Sequence, residues 1–199
     1  DTNYLTHDPG LFPDLLRPLP TPRIRPVPRQ YRSVWISFPV PEDAAQMIAY
    51  LRACAKETDF LLRLPEEWDI SVETEEALLR DMAHQTENRM LVCSVKGEIA
   101  GTCQVACMNR LKTRHRATVS IALRRAYWGQ GISGVMFEEM EAFARERGVT
   151  QLELAYIQGN ERARHLYDRM GFVETGRSPD AMRQRDGTLA DEIFMMKKL

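Results

Sequence analysis

The stretch from Ala117 to Phe172 decides the fold, and it reads ATVSIALRRAYWGQGISGVMFEEMEAFARERGVTQLELAYIQGNERARHLYDRMGF. It opens with an apolar strand pattern, Ala117 to Leu123, which a glycine-rich segment follows. Apolar residues then recur at helical spacing up to Gly148, a residue type that commonly ends helices. A second strand, Leu152 to Ile157, and a second helix, Glu161 to Met170, complete a β-α-β-α passage.

Upstream of this passage, helices and a run of strands are predicted. Ser33 to Phe38 alternates as a strand does, and apolar spacing favours helices from Pro41 to about Lys56 and from Thr74 to Ala83. Met90 to Val95 and Ile99 to Cys107 predict a hairpin. With the next apolar strand, this hairpin forms an antiparallel meander.

The two ends of the chain differ in character. Phe172 to Thr175 and Glu192 to Met196 are predicted as a closing pair of strands around a turn at Asp186-Gly187. Seven of the eleven prolines fall between Pro9 and Pro28, where they favour extended backbone. We therefore divide the chain into a proline-rich arm, residues 1–30, and one α+β domain (mixed α/β), residues 31–199.

Composition excludes several classes of protein. The chain has 199 residues, of which 44% are hydrophobic, and a net charge of −1, so we expect a compact domain without bulk affinity for nucleic acid or anionic membranes. No run of apolar residues is long enough for a membrane helix and no signal-peptide pattern opens the sequence, which favours the cytoplasm. Cys103, Cys107 and His115 lack the turn spacing of a zinc site, so we predict no metal.

The segment WGQGISG, Trp128 to Gly134, joins a strand to a helix. The free backbone N–H groups of a helix start attract anions, and glycines let a phosphate approach closely, so we predict a phosphate cradle. The alternative is that the glycines serve only a tight turn. A dinucleotide fingerprint with Glu153 as its acid also fits the spacing, but the antiparallel meander upstream and the short remaining chain disfavour it.

A second motif, NERARHLYDRMGF, spans the last predicted helix of the passage. Asn160, Ala163 and Tyr167 share one face of this helix, which can follow an extended ligand. With the glycine segment, it resembles the acyl-CoA-binding core of the GNAT N-acetyltransferase superfamily, over roughly residues 31–199. The resemblance implies a GNAT-like fold, with a central, mostly antiparallel sheet of about seven strands flanked by about four helices.

The same resemblance implies acetyl-CoA as cofactor and a set of binding residues. Tyr167 lies at the position where the family has the acid that protonates the departing thiolate. Trp128 lies at a position where the family usually has Arg or Gln. Ser133 offers a hydroxyl to a phosphate. The implied cofactor-binding residues are Ile121, Ala122, Leu123, Arg124, Trp128, Gly129, Gln130, Gly131, Ile132, Ser133, Gly134, Asn160, Ala163 and Tyr167.

The sequence indicates less about the acceptor than about the cofactor. An amine with a pKa near 10 must lose a proton before it attacks, and Glu66, Glu67 and Asp191 are the candidate acceptor-binding acids, acting through water. His115 and His165 are interpreted as surface or structural residues. A small-molecule amine, an amino acid, a polyamine or a peptide N-terminus all stay open as acceptors.

Four further expectations concern the mechanism, the alternative function, the oligomeric state and the charge around the coenzyme. No cysteine lies in the matched motifs, so direct transfer is favoured over an acetyl-cysteine intermediate. The alternative from another class is an acyl-CoA-binding sensor without turnover. Edge strands and the arm favour a homodimer. Basic side chains predicted to attract CoA phosphates are Arg110, Lys112, Arg114, Arg116, Arg124, Arg125, Arg162 and Arg164.

Overall fold

The computed structural model describes residues 34–199, so the arm predicted over residues 1–30 lies outside the described residues. Seven strands and four helices follow one another in the described part of the chain, as predicted. In chain order these are β1 Val34–Ser37, α1 Ala44–Glu57, α2 Val72–His84, β2 Asn88–Val95, β3 Glu98–Cys107, β4 Arg116–Leu123, α3 Ile132–Glu146, β5 Gln151–Ile157, α4 Glu161–Arg169, β6 Val173–Arg183 and β7 Leu189–Lys198. Short 3₁₀ helices lie in the connections at Pro41–Asp43, Pro65–Trp68 and Arg125–Tyr127.

The strands form one sheet in the order β1-β2-β3-β4-β5-β7-β6. All neighbouring strands are antiparallel except β4 and β5, which run parallel. This parallel pairing covers only Arg116 to Thr118 against Gln151 to Glu153. Beyond these residues the two strands separate, so a wedge opens between their carboxyl-terminal halves. The antiparallel meander also excludes the dinucleotide-binding alternative.

Apolar clusters cover both faces of the sheet. One cluster packs α3 and α4 on the sheet through residues such as Phe137 and Met140. The other packs α1 and α2 through Met47 and Leu79 onto Val92 of β2. The immediate neighbours of Val92 on β2 belong to the first cluster, as the alternation of side chains along a strand requires. Burying each large apolar side chain contributes about 1.5–3 kcal/mol, so the two clusters hold the wedge between rigid layers.

Element ends differ from the sequence prediction where a local cap or an exposed edge decides them. Helix α2 begins before Thr74 because the Ser71 hydroxyl oxygen accepts a hydrogen bond from the Thr74 N–H at 3.2 Å. Strands β6 and β7 are longer than predicted. Nearly every residue of β6 is exposed, so no apolar alternation marks it. The predicted turn is confirmed, with Gly187 at a φ of +87°.

The described residues contain neither a membrane-spanning helix nor a cluster of metal ligands. No helix in this range has the length and apolarity needed to cross a lipid bilayer. Within residues 34–199, no group of three or more His, Cys, Asp or Glu side chains is arranged to hold a metal ion. The four cysteines are free thiols.

Candidate active site

The wedge between β4 and β5 is part of a cleft of about 660 Å³. Four parts of the chain line it: the end of α1, the end of β4, the loop that leads into α3, and one face of α4. The glycine segment and the second motif therefore meet at one site, although about 30 residues separate them in the sequence.

The register of β4 shows which backbone groups face the cleft. The Arg124 N–H donates to the Ala100 carbonyl of β3 at 2.8 Å, so even-numbered residues at this end of β4 direct their backbone groups to β3. Backbone direction alternates along a strand, and Ile121 and Leu123 consequently direct theirs away from β3. The strand that would pair with them has already diverged, so these groups face the wedge.

The loop after β4 folds around two glycines in the left-handed region. Gly129 and Gly131 have φ values of +72° and +79°, and Gly131 is the N-cap of α3. A Cβ atom at Gly129 or at Gly134 would meet no other atom within 4 Å, so the space in front of this backbone is open. The first N–H groups of a helix have no partner within it. The start of α3 is thus built to accept an anion.

Trp128 connects the loop to both walls of the cleft. Its indole Nε1 donates to the Leu123 carbonyl oxygen at 2.6 Å. Its ring also lies against two guanidinium groups, with the Cζ of Arg125 at 5.5 Å and that of Arg162 at 4.7 Å from the ring centroid. Arg162 belongs to α4, so this cation–π contact spans the cleft and keeps positive charge beside the glycine segment.

Glu57, the last residue of α1, fixes the start of the same loop. One carboxylate oxygen accepts from the Arg124 Nε at 2.8 Å, and the other accepts from the Arg125 N–H at 2.7 Å. Both side chains of the ion pair are partly shielded from solvent. The hydrogen bond that Arg124 donates to Glu57 raises the pKa of Arg124 above its ordinary value. This contact connects the end of α1 to the loop that leads into α3.

Helix α4 presents Tyr167 to the cleft from an aromatic cluster. The Asn160 side chain caps this helix by accepting from the Ala163 N–H at 3.2 Å. The Tyr167 ring centroid lies 5.9 Å from that of Phe137 and 6.0 Å from that of Tyr156. Burial raises the pKa of Tyr167 well above its usual value, and no hydrogen bond to another described residue contributes to that shift. The phenol therefore keeps its proton near neutral pH, and its role toward a ligand stays a prediction.

Cys54 also lines the cleft, on the α1 side. Burial raises the pKa of this thiol to about 11, so it stays protonated near neutral pH. Since the thiolate is the nucleophilic form, this environment is unsuited to an acetyl-cysteine intermediate. Burial likewise raises the pKa of Cys93 to about 11 and that of Cys103 further still.

Most residues predicted to bind the cofactor line this cleft; three do not. The Arg124 side chain pairs with Glu57, Gln130 donates to the Ala126 carbonyl at 3.0 Å, and the Ile132 side chain is buried in the core. The residues that do line it are Ile121, Ala122, Leu123, Trp128, Gly129, Gly131, Ser133, Gly134, Asn160, Ala163 and Tyr167.

The three acids predicted to bind the acceptor lie apart from the cleft lining. Glu66 and Glu67 belong to a 3₁₀ helix, where Glu67 accepts from the Leu64 N–H at 2.6 Å. Asp191 accepts from the Asp180 N–H at 3.1 Å and pairs with Arg177 at 3.3 Å. Glu67 and Asp191 thus serve local structure, and the role of the three acids toward an acceptor stays a prediction.

The upstream basic residues lie at the far end of β4. Arg116 opens this strand and pairs with Glu153, with its Nη2 2.7 Å from the carboxylate Oε2. At a rise of about 3.3 Å per residue, it lies roughly 23 Å along β4 from Leu123. Arg116 and the loop before it are therefore remote from the glycine segment.

Sequence reasoning missed the contribution of α1. Cys54, Glu57, Thr58 and Leu61 line the cleft, and so does His165, which had been interpreted as a surface or structural residue. The contact between Glu57 and Arg124 joins residues far apart in the chain, so no local sequence pattern predicts it. Only the family's usual layer of helices could have suggested that the end of α1 reaches this loop.

Two comparisons with known proteins agree with this geometry. A family model of the GNAT acetyltransferases matches residues 47–172. The GNAT acetyltransferase of Streptococcus pneumoniae is 28% identical and superposes with a TM-score of 0.78, covering 83% of this chain and 99% of its own. No curated protein sequence matches.

More distant structures share the fold alone. The ribosomal-protein-alanine N-acetyltransferase of Brucella melitensis is 22% identical, with a TM-score of 0.70 over 82% of this chain and 99% of its own. The yncA protein of Salmonella typhimurium, solved with its cofactor acetyl-CoA, is 18% identical, with a TM-score of 0.71 over 84% and 95%.

A sheet divided between two parallel strands, with a glycine-rich helix start at the opening, defines the class of acetyl-CoA-dependent acetyltransferases. This chain belongs to the GNAT family of acetyltransferases. It is accordingly an enzyme that uses acetyl-CoA. The residues present fit that molecule, since open space lies in front of Gly129 and Gly134 where a diphosphate needs backbone donors.

Proposed function

We propose that this enzyme is an N-acetyltransferase, which moves an acetyl group from acetyl-CoA to a primary amine by direct attack within a ternary complex. One observation carries the proposal: the start of α3, the backbone of β4 and the phenol of Tyr167 line one cleft. An anion site, amide donors and a proton donor are the three groups that thioester aminolysis needs.

Each group has a distinct part in the reaction. The N–H groups around Gly129 to Ser133 bind the diphosphate of the coenzyme, and Ile121 and Leu123 offer backbone donors to its pantetheine arm and thioester. The amine nitrogen bonds to the carbonyl carbon as the carbon–sulfur bond breaks. Tyr167 gives its proton to the departing sulfur and regains one from solvent. The extra proton of the amine leaves through water.

The acceptor is a small-molecule amine, an amino acid, a polyamine or a peptide N-terminus. The family's fold does not set this choice, because acceptor loops vary independently of the coenzyme site. The name of the Brucella protein adds a peptide with an N-terminal alanine to the panel of candidate acceptors. The end of α1 lines the cleft, and Glu66, Glu67 and Asp191 stay the candidate acceptor-binding acids.

Thiol release from acetyl-CoA with a panel of amines tests the proposal. We expect at least one amine to raise the enzyme-dependent release above hydrolysis, with the acetylated amine formed in equal amount. If the protein binds acetyl-CoA yet no amine raises the release, the chain is a sensor of acyl-CoA and the proposed transfer is wrong.

We also propose that two copies associate along β6. This edge strand has eleven residues, nearly all of them exposed, and Val173 presents an apolar side chain with 59% of its surface exposed. Edge strands of this length readily pair with another chain. Light scattering should give twice the mass of one chain, and the mass of a single chain would contradict this proposal.

A further inference from the structure

The hydroxyl of Tyr50 reaches from α1 into the hydrogen-bond ladder between β3 and β4. It donates to the Ala122 carbonyl oxygen at 2.8 Å and accepts from the Thr102 N–H at 3.1 Å. Thr102 and Ala122 face each other in the register of the two strands. The phenol therefore takes part in the rung that these two residues form. A further contact joins it to the Thr102 Oγ1 at 3.2 Å.

The environment keeps this phenol in place as a donor. Only 2% of the Tyr50 surface is exposed, within the cluster under α1 and α2. Burial raises the pKa of the phenol well above its usual value, so the hydroxyl keeps its proton. An antiparallel rung is ordinarily closed by its own two backbone groups. A side-chain hydroxyl in this rung therefore needs a reason other than pairing the strands.

The bond to Ala122 has a consequence on the cleft side of β4. The Ala122 carbonyl and the Leu123 N–H belong to one planar trans peptide and point in opposite directions. Since Tyr50 holds that carbonyl on the β3 side, the Leu123 N–H is directed into the wedge. Trp128 holds the next carbonyl, that of Leu123, at 2.6 Å. Both peptides that flank Leu123 are thus fixed by side chains.

Gly101 of β3 lies close to the same peptide. A Cβ atom at this position would lie 3.1 Å from the Ala122 carbonyl oxygen and would clash with the Leu123 side chain. The absence of a side chain at Gly101 therefore lets the Ala122 peptide take its position against β3. Preorganised backbone donors of this kind are the ones that stabilise developing negative charge best.

We propose that Tyr50 is a positioning residue for acyl transfer: its hydroxyl holds the Ala122 carbonyl against β3 and so directs the Leu123 N–H to donate to the thioester carbonyl oxygen. This inference rests on the proposed function for its catalytic consequence. Its geometric part concerns the bound thioester alone and needs no acceptor amine.

The test is the ¹³C resonance of the thioester carbonyl of acetyl-[1-¹³C]CoA bound to the protein. In the unchanged protein, the hydrogen bond from Leu123 should move this resonance downfield from its position in free acetyl-CoA. Tyr50→Phe keeps the ring and removes the hydroxyl, so most of that displacement should be lost while the Kd, measured by calorimetry, changes less than about threefold, or about 0.7 kcal/mol. An unchanged displacement in Tyr50→Phe, or none in the unchanged protein, would overturn the proposal.

Kinetics supply the second readout once an acceptor is known. Tyr50→Phe should lower kcat by about tenfold to a hundredfold, a share of the loss seen when an oxyanion donor is removed, and leave the KM for acetyl-CoA nearly unchanged. Leu79→Val is the matched control, since it loosens the same cluster and removes no hydrogen bond to β4. An equal loss of kcat in both variants would mean that Tyr50 acts through stability alone.

A second variant covers the case in which Tyr50→Phe fails to fold. Gly101→Ala displaces the Ala122 peptide while Tyr50 is kept, and it should reduce the same ¹³C displacement. A full displacement in Gly101→Ala would contradict the proposal. A normal displacement in the unchanged protein without acetylation of any amine would instead refute the proposed transfer and leave the role of Tyr50 intact.

Discussion

At the scale of single residues, the site depends on what burial does to ionisable groups. Tyr167 and Cys54 both line the cleft, and burial raises the pKa of each. For Cys54 this removes the nucleophilic thiolate. For Tyr167 the same effect keeps the phenol protonated, which is the form that the proposed protonation of the leaving thiolate requires.

The first prediction at this scale concerns the Tyr167 hydroxyl. Tyr167→Phe keeps the aromatic contacts and removes the proton donor, so kcat should fall by about a hundredfold, the lower range for loss of a general acid. The Kd for acetyl-CoA, measured by calorimetry, should change less than about threefold, or about 0.7 kcal/mol. Tyr156→Phe, a neighbouring phenol outside the cleft lining, is the control and should retain most of the activity. A comparable loss in both variants would contradict the assignment.

The pH dependence of kcat/KM gives a second prediction. A phenol whose pKa is raised above about 10 is protonated at every lower pH, so Tyr167 imposes no fall in rate on the basic side below pH 10. The acceptor amine must be neutral, so the rate should rise with pH, approaching tenfold per unit, until the pH reaches the pKa of the amine, about 8 for a peptide N-terminus and about 10 for an alkylamine. A basic limb near pH 8 in initial-rate measurements would show that another group donates the proton.

At the scale of elements, the start of α3 joins a strained turn to an open surface. Gly131 needs its positive φ to cap the helix, whereas Gly134 lies inside the first turn of α3, and a Cβ atom there would meet nothing within 4 Å. The two glycines are therefore needed for different reasons. Gly131 is required by the backbone conformation, and Gly134 leaves room in the cleft. The structure separates roles that the sequence motif presents together.

This difference predicts that Gly134→Ala stabilises the protein while it weakens coenzyme binding. Alanine in place of glycine inside a helix contributes about 0.5–1 kcal/mol, so the Tm should rise by about 2 °C. The added methyl group would displace a diphosphate from its amide donors, and loss of one such bond, about 1.5–3 kcal/mol, should weaken acetyl-CoA binding at least about tenfold. Gly176→Ala on β6, also in open space, is the control.

Calorimetry and thermal unfolding measure both quantities on the same samples. Unchanged affinity in Gly134→Ala would mean that the diphosphate lies elsewhere. Weakened affinity in Gly176→Ala as well would point to a general effect of the substitution.

At the scale of the whole molecule, the sequence predicted those features that repeat locally. Helical spacing and strand alternation predicted the order of the helices and strands. The motif in α4 predicted that Asn160 and Tyr167 lie on one face of this helix, and both residues line the cleft. The length of β6 was not predictable, because an exposed edge strand carries no apolar pattern. Glu57 and Tyr50 were missed for another reason: each acts across more than 50 residues of sequence, on Arg124 and on Ala122 respectively.

We propose that the amides at the start of α3 bind the diphosphate of acetyl-CoA, so that the acetyl end of this molecule reaches the hydroxyl of Tyr167. A crystal structure of the protein with acetyl-CoA tests it most directly. We predict diphosphate oxygens within hydrogen-bond distance of backbone N–H groups between Gly129 and Gly134, and the thioester sulfur about 3–3.5 Å from the Tyr167 hydroxyl oxygen. Acetyl-CoA bound outside the wedge, or a sulfur atom remote from that phenol, would contradict the account.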